Sequence, residues 1–202
     1  MSNFEDVATF YDDRIRKYGE NVRSVGWASQ AQQELRFKIL FEGLNLENDS
    51  FLDLGSGLGD LLAYLAKNTS RPQSYLGIDA SPRMVAASKK RYSAIENVDF
   101  LVSKFEDFPL EVWDYIVMSG SFNLKQSSDD FQRLTNFLNR FLPSAKKGLL
   151  FNLLTTKVDY IRDYHSHFNP QQVLNLFKHD EFNVKLIENY GLYEFTIQAI
   201  RK

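Results

Sequence analysis

Residues 51–60, Phe51-Leu52-Asp53-Leu54-Gly55-Ser56-Gly57-Leu58-Gly59-Asp60, constrain the fold more than any other stretch of the chain. An apolar, strand-like segment runs into three glycines at alternate positions, and helical periodicity follows from Asp60 onward. Strand, glycine turn and helix is how a doubly wound sheet brings its backbone against a ligand at the carboxyl end of a strand. The dinucleotide fingerprint is G-x-G-x-x-G, whereas this chain has G-x-G-x-G. The expected ligand is a nucleoside-containing molecule other than NAD.

A chain of 202 residues is long enough for one well-buried core and short for two ordinary domains. The formal charge of −2 gives no overall attraction to polyanions, so no nucleic-acid partner is expected. The clusters Lys89-Lys90-Arg91 and Lys146-Lys147 are short and read as solvated charge. The absence of cysteine excludes disulfides, thiolate metal sites and cysteine nucleophiles. No apolar stretch approaches the ~18 residues of a membrane span, and the amino terminus lacks a signal pattern. A cytoplasmic protein with no membrane association is expected. Phe and Tyr are frequent, 17 and 10 residues, which fits an aromatic core and equally an aromatic-lined pocket.

Strands and helices alternate at the spacing of βαβ units. A polar, amphipathic helix is expected over 3–18, carrying Phe4, Val7, Phe10, Tyr11 and Tyr18. Ser29 followed by Gln32 fits a capping box and opens a helix to about Gly43. Strand 50–54, a helix from about Leu58 to Lys67 and strand 74–78 follow. Ser81-Pro82 is an N-cap with proline at the first helical position, starting a helix to about Tyr92. Strands at 98–103 and 113–118 precede a helix capped by Ser128-Asp129-Asp130 and ended after Phe141 by Pro143. Residues 147–153 are nearly all apolar, as a central parallel strand should be. Asn169-Pro170 begins a helix to about Lys178, and strands 182–190 and 192–201 close the chain around a tight turn at Gly191.

Within the glycine run, Gly55 permits the turn, Gly57 removes the Cβ that would hold a ligand away, and Gly59 allows close packing. Asp53, acidic at the end of a buried strand, needs a donor; glycine-loop amides and a ligand ammonium are the two candidates. Asp79 ends the second strand about twenty residues past the loop, where a carboxylate receives ribose hydroxyls in this architecture; helix capping is the alternative. Asp60 at the amino end of the next helix disfavours a pyrophosphate and suits a cationic ligand such as a sulfonium.

The segments FLDLGSGLGD, YLGIDASPRMV, NVDFLVSKFEDFP and WDYIVMSGSFN, in that order, resemble the motifs of class I S-adenosylmethionine-dependent methyltransferases over residues 50–155. The resemblance implies an α/β, Rossmann-like doubly wound fold, a seven-stranded, mostly parallel sheet with one antiparallel strand and helices on both faces. It implies S-adenosyl-L-methionine as cofactor, with Gly55 and Gly57 at its methionine part and Asp79 at the ribose; Asp53, Ser56 and Ala80 are counted with the cofactor-binding residues. Phe105 and Glu106 would lie beside the adenine, and Ser119 and Gly120 at the methyl-donor centre. Lys104 departs from the pattern: it stands where the family often has an acid accepting from the adenine amino group, and a lysine cannot accept. Base reading then falls to backbone near Phe105, or to Glu106 and Asp107. The Asn-Pro-Pro-Tyr signature of base and glutamine methylation is missing.

Ser24-Val25-Gly26-Trp27-Ala28-Ser29 is unusual for a connector. Trp27 is read as a cover on cofactor or substrate and Arg36 as reaching the cofactor carboxylate, against an aromatic anchor and a solvent-exposed arginine. Tyr11 is a second lid candidate. His165 and His167 follow the fifth strand on the same sheet edge, and are candidates for a general base, against surface polar residues. Tyr190, Tyr193 and Glu194 read as packing and edge charge. No metal site is assigned.

The expectation is one domain, 1–202, with a helical cap (1–45), a cofactor-binding core (46–155), and a substrate-side insert with closing hairpin (156–202). The expected reaction is methyl transfer to an oxygen or nitrogen of a small-molecule acceptor. Holding nucleophile, methyl carbon and sulfur in line is worth several kcal/mol. A cofactor-binding protein without catalysis and an NAD-dependent oxidoreductase are the rivals. The acceptor and the oligomeric state are not legible.

Overall fold

The computed structural model describes residues 6–69 and 71–202; Phe4 falls outside them. Helix α1 (Val7–Tyr18) has no fully buried residue. It is held by polar contacts instead: Asp12 accepts from the Ser81 hydroxyl at 2.5 Å and from the Arg83 amide at 3.3 Å. Helix α2 (Gln30–Leu40) starts where the capping pattern predicts, the Ser29 hydroxyl accepting from the Gln32 amide. Strand β1 (Ser50–Leu54), α3 (Asp60–Asn68), β2 (Ser74–Asp79) and α4 (Pro82–Arg91) follow. Ser81 caps α4 by accepting from the Met84 amide. Strands β3 (Val98–Val102) and β4 (Trp113–Ser119) come next, then α5 (Asp130–Phe141), capped by Asp129. A short 3-10 turn, Leu142–Ser144, holds Pro143 and leads into β5 (Ala145–Thr155).

Seven strands form one sheet in the order β3-β2-β1-β4-β5-β8-β7, where β7 is Phe182–Ile187 and β8 is Glu194–Arg201. Neighbours from β3 to β5 are parallel, and β8 runs antiparallel to both β5 and β7. The expected seven-stranded, doubly wound sheet with one antiparallel strand is therefore present. A two-residue strand, β6 (His167–Phe168), adds to β5 beyond the end of β4. It brings the 156–166 insert back across the carboxyl edge.

Two apolar layers cover the sheet. On one face α2, α3 and α4 bury Phe37, Leu40, Leu61, Leu65 and Val85. On the other, α5 and α6 (Pro170–Leu174) bury Leu134, Phe137, Leu138, Phe141 and Val173. Helix α6 is shorter than its sequence pattern implies. The chain tightens after Leu174, and Phe177, whose amide donates back to the Leu174 carbonyl, packs beside Phe151. The closing hairpin also differs: the ladder stops at Ile187 opposite Thr196, and 188–193 form a wide loop with Asn189 at φ 62°. Together these elements leave the carboxyl ends of β1, β2, β4 and β5 facing one cavity.

Candidate active site

The cavity has a volume of about 1220 Å³, ample for a nucleoside cofactor and a second small molecule. Its floor is the glycine loop. Gly55 and Ser56 amides donate to the Ile78 carbonyl, tying the loop to β2. Gly57 has φ 53°, and a Cβ there would stand 2.8 Å from Val25 Cγ1. Its missing side chain therefore makes room for Val25 of the 24–29 connector, a contact that the sequence pattern does not announce. Gly59 leaves space for the rings of Tyr92 and Phe100.

Asp79 is buried and accepts from the Gly57 amide at 2.9 Å and the Ser81 amide at 2.8 Å. It thus braces the glycine loop against the start of α4 and still lines the cavity. Burial raises its pKa, the two backbone bonds oppose that, and Asp12 adds to it. Within the protein, Asp53 is met by a side chain rather than by the glycine-loop amides. The Tyr75 hydroxyl donates to one of its oxygens. Burial lifts Asp53 to about 7, the Tyr75 bond opposing and the Asp79 and Asp60 charges adding. Asp60 corrects the sequence argument more plainly. Arg91 meets its carboxylate at 2.8 Å and the Gln33 amide donates at 3.0 Å, so its charge is largely answered inside the protein. Arg91 also donates to the Leu58 carbonyl, and is not the solvated charge expected.

The connector lies over the loop as a cover. A Cβ on Gly120, φ 79°, would stand 2.5 Å from the Trp27 ring, so Trp27 rests on the backbone just past β4. Arg36 stacks on Trp27, its guanidinium 3.8 Å from the ring centre. Arg36 is neither solvent-exposed nor free for a cofactor carboxylate. It is buried and forms a two-pronged pair with Glu194, 2.8 and 2.7 Å, with a third bond to the Gln32 carbonyl. Glu194 is correspondingly buried in the cavity wall rather than an edge charge. This pair spans 158 residues, and no local sequence signal announces it.

At the end of β4 a residue missed in the sequence sets the geometry. Asn152, fully buried on β5, accepts from the Gly120 amide at 3.0 Å and donates to the Ser119 hydroxyl at 3.1 Å. Its one available signal was a lone amide in the apolar run Gly148-Leu149-Leu150-Phe151-Asn152-Leu153. With one lone pair engaged by Asn152, the Ser119 hydroxyl keeps its proton for the cavity it lines. Ala80, Phe105 and Glu106 line the same cavity. Tyr11 does so too, its phenol raised to about 12 by burial and then by Asp79.

The two histidines part company. His165 lines the cavity and faces Leu124 through a β-bridge. Burial first, then His167 and Arg162, lower its pKa. His167 sits in β6, outside the cavity lining, and its Nδ1–H donates to the Thr155 carbonyl at 2.8 Å. That bond holds the insert to β5, so the reading of His167 as a base is corrected to a structural one.

The site fits a cationic nucleoside. Two buried carboxylates, Asp53 and Asp79, line it, and among the described residues neither has a basic ion-pair partner. Buried acids without cations either retain a proton or meet a positively charged ligand, and the cavity leaves room for the latter. A family model described as a methyltransferase domain matches residues 51–144. A Mycobacterium tuberculosis protein named "Putative methyltransferase Rv1506c" is 36% identical over 159 residues, covering 76% of this chain and 93% of that protein. The demethylmenaquinone methyltransferase of Chlorobaculum tepidum is 28% identical over 138 residues, 66% of this chain, which spans about half (51%) of that protein. Among solved structures, magnesium protoporphyrin IX methyltransferase from Synechocystis with bound S-adenosylmethionine aligns over 100% of both chains. Its TM-score is 0.68 at 13% identity, a likeness of fold.

The chain belongs to the class I S-adenosylmethionine-dependent methyltransferases. It is an enzyme of that class, and S-adenosylmethionine is its cofactor. No helix among the described residues is long and apolar enough to cross a membrane.

Proposed function

We propose that this protein methylates an oxygen or nitrogen of a small acceptor, with His165 taking the proton. The observation that carries the reading is the division of charge within the cavity. Its donor side holds Asp53 and Asp79 without basic ion-pair partners, while on its other side the Arg36–Glu194 pair is internally neutral and Arg162 lines the wall beside His165. When bound, S-adenosylmethionine supplies a methyl group on an already activated sulfonium. Asp79 and Ala80 would hold its ribose, Asp53 its ammonium group through the oxygen that Tyr75 leaves free, and Gly55, Ser56 and Gly57 its methionine part. Phe105 and Glu106 would flank the base, and Ser119 and Gly120 would border the reacting centre. Trp27 covers that centre, and Arg36 acts through Trp27 and Glu194 rather than on the cofactor.

His165 has its pKa lowered, so it is neutral at pH 7 and able to accept a proton. A proton acceptor placed this way contributes ~10²-fold or more where the nucleophile must be deprotonated. Relatives named for demethylmenaquinone methylation, and one from Geobacter named for C-methylation in ubiquinone/menaquinone biosynthesis, favour a second reading in which carbon is the acceptor atom. The whole chain is read as one domain, with residues 6–45 and the 156–166 insert contributing to the cavity wall.

The test is formation of S-adenosylhomocysteine from S-adenosylmethionine with a fractionated small-molecule extract, followed by identification of the methylated product. His165→Ala is expected to lower turnover ~100-fold and to remove the acidic limb of the pH–rate profile. Equal turnover of His165→Ala and wild type from pH 6 to 9 would remove His165 from the mechanism. A product methylated on carbon would move the acceptor atom.

A further inference from the structure

The turn after β3 lacks the usual acid, and Lys104 can only donate, so how the protein tells adenine from other bases is open. The cavity wall around this turn supplies an answer from a different element. Phe105 is part of an aromatic group with Phe122 and Phe137, its ring centre 6.4 Å from Phe122 and 5.9 Å from Phe137. On the Phe122 face lies the Arg133 guanidinium, 4.4 Å from the ring centre. Arg133 comes from α5, lines the cavity, and points its Nε toward the Glu106 carboxylate at 3.8 Å, outside hydrogen-bonding distance. Its Nη1 is buried and has no hydrogen-bond partner, an uncommon state for a guanidinium. Burial lowers the pKa of Arg133, with Glu106 and Asp130 opposing. The result is a guanidinium and a carboxylate paired by charge but not hydrogen-bonded to one another, with Nη1 unsatisfied, set beside an aromatic wall.

We propose that Glu106 and Arg133 together read the edge of the adenine, Glu106 accepting from the exocyclic amino group and Arg133 donating to a ring nitrogen beside it. An adenine edge carries that donor flanked by acceptors, and a paired donor and acceptor on the protein is its complement. Hypoxanthine reverses the pattern: it has a carbonyl where adenine has the amino group, and an N–H at the adjoining ring position. Its carbonyl would face the Glu106 carboxylate, an acceptor against an acceptor. The assignment rests on the reading that places the base beside Phe105. It explains why Lys104 is tolerated there, since α5 rather than the turn supplies the selectivity. Arg133 thereby becomes a specificity-determining residue that the family motifs do not contain.

Titration calorimetry with S-adenosylhomocysteine and S-inosylhomocysteine tests the pair. Wild type is expected to bind the adenosine compound at least ~10-fold more tightly, the range that one well-made base contact provides. Arg133→Met should weaken S-adenosylhomocysteine ~10-fold and narrow the preference. Glu106→Gln, which can donate as well as accept, should improve S-inosylhomocysteine relative to S-adenosylhomocysteine. Arg133→Lys keeps the charge without the planar fork and serves if the methionine variant does not fold. It should also narrow the preference. Unchanged preference in the Arg133 and Glu106 variants, or equal losses for both nucleosides, would overturn the proposal. Absence of S-adenosylhomocysteine binding in wild type would instead count against the placement of the cofactor itself.

Discussion

The two halves of the cavity are built in opposite ways. The donor half comes from consecutive turns of one βαβ unit: the glycine loop, Asp79 and Ser81 lie within 30 residues and brace one another through backbone amides. The acceptor half is assembled from distant pieces. Arg36 reaches Glu194, Leu124 faces His165, and Trp27 lies on Gly120. Backbone-to-carboxylate bonds in a tight turn survive substitution elsewhere, because the chain's own path creates them. Long-range side-chain pairs depend on single residues, and a buried ion pair left half-made is costly. The donor half is therefore set by local geometry, and the acceptor half by a few replaceable contacts.

That contrast is most exposed at Arg36–Glu194, whose side chains are only 7% and 2% exposed. Glu194→Ala leaves a buried guanidinium without its partner and is expected to destabilise the fold by about 3–5 kcal/mol. Affinity for S-adenosylhomocysteine, measured below the unfolding transition, should stay within about threefold. Arg36→Met combined with Glu194→Leu should recover much of the stability, since replacing both charges removes the orphan. If Glu194→Ala unfolds at the wild-type temperature, the pair does not hold the cap to the sheet. If it keeps its fold but loses the cofactor, the two halves are not independent.

The reverse experiment is Asp79→Ala. Its loss removes the proposed ribose acceptor and leaves the Gly57 and Ser81 amides unpaired. Affinity for S-adenosylhomocysteine should fall ~100-fold, about 2.7 kcal/mol. Asp79→Asn, which keeps the shape but accepts through one atom only, should fall between the two. Titration within threefold of wild type for the alanine variant would deny Asp79 its role. Neither change should alter the Arg36–Glu194 contact, a point that a crystal structure of the asparagine variant would check.

The same division explains what could be read beforehand. Strand β1, the caps at Ser29 and Ser81 and the order of elements were legible, because periodicity and capping act within a few residues. The donor loop and Asp79 were legible for the same reason. Arg36–Glu194 was not, since nothing near residue 36 distinguishes a buried arginine from an exposed one. Tyr75 as the donor to Asp53 was equally hidden: it lies on the neighbouring strand and reads as core. Asn152 stood out as a polar residue in an apolar strand, but its partners Ser119 and Gly120 appear only once β4 and β5 are side by side. His165 and His167 are two residues apart, a spacing that puts both on one face of a strand; what separates them is the pairing of β6 with β5, which turns His167 to the Thr155 carbonyl.

Asp53 offers the finest test of the donor half, because its protonation is poised near neutrality. With a native pKa of about 7 against an ordinary 3.8, the folded protein retains a proton that the unfolded chain releases. Stability contributed at this site therefore falls as pH rises from about 4 to 7, and is lowest above that range. Ligand binding has the opposite slope. A ligand ammonium favours the ionised carboxylate, so affinity for S-adenosylhomocysteine should rise ~10-fold between pH 6 and 7.5, where only ionised Asp53 binds well. Asp53→Asn should flatten that profile, and Tyr75→Phe, by removing the bond that favours ionisation, should shift it to higher pH. Binding that is independent of pH in wild type would mean that Asp53 does not meet the cofactor's charge. A slope that survives in Asp53→Asn would pass that role to Asp79, whose pKa is also raised by burial.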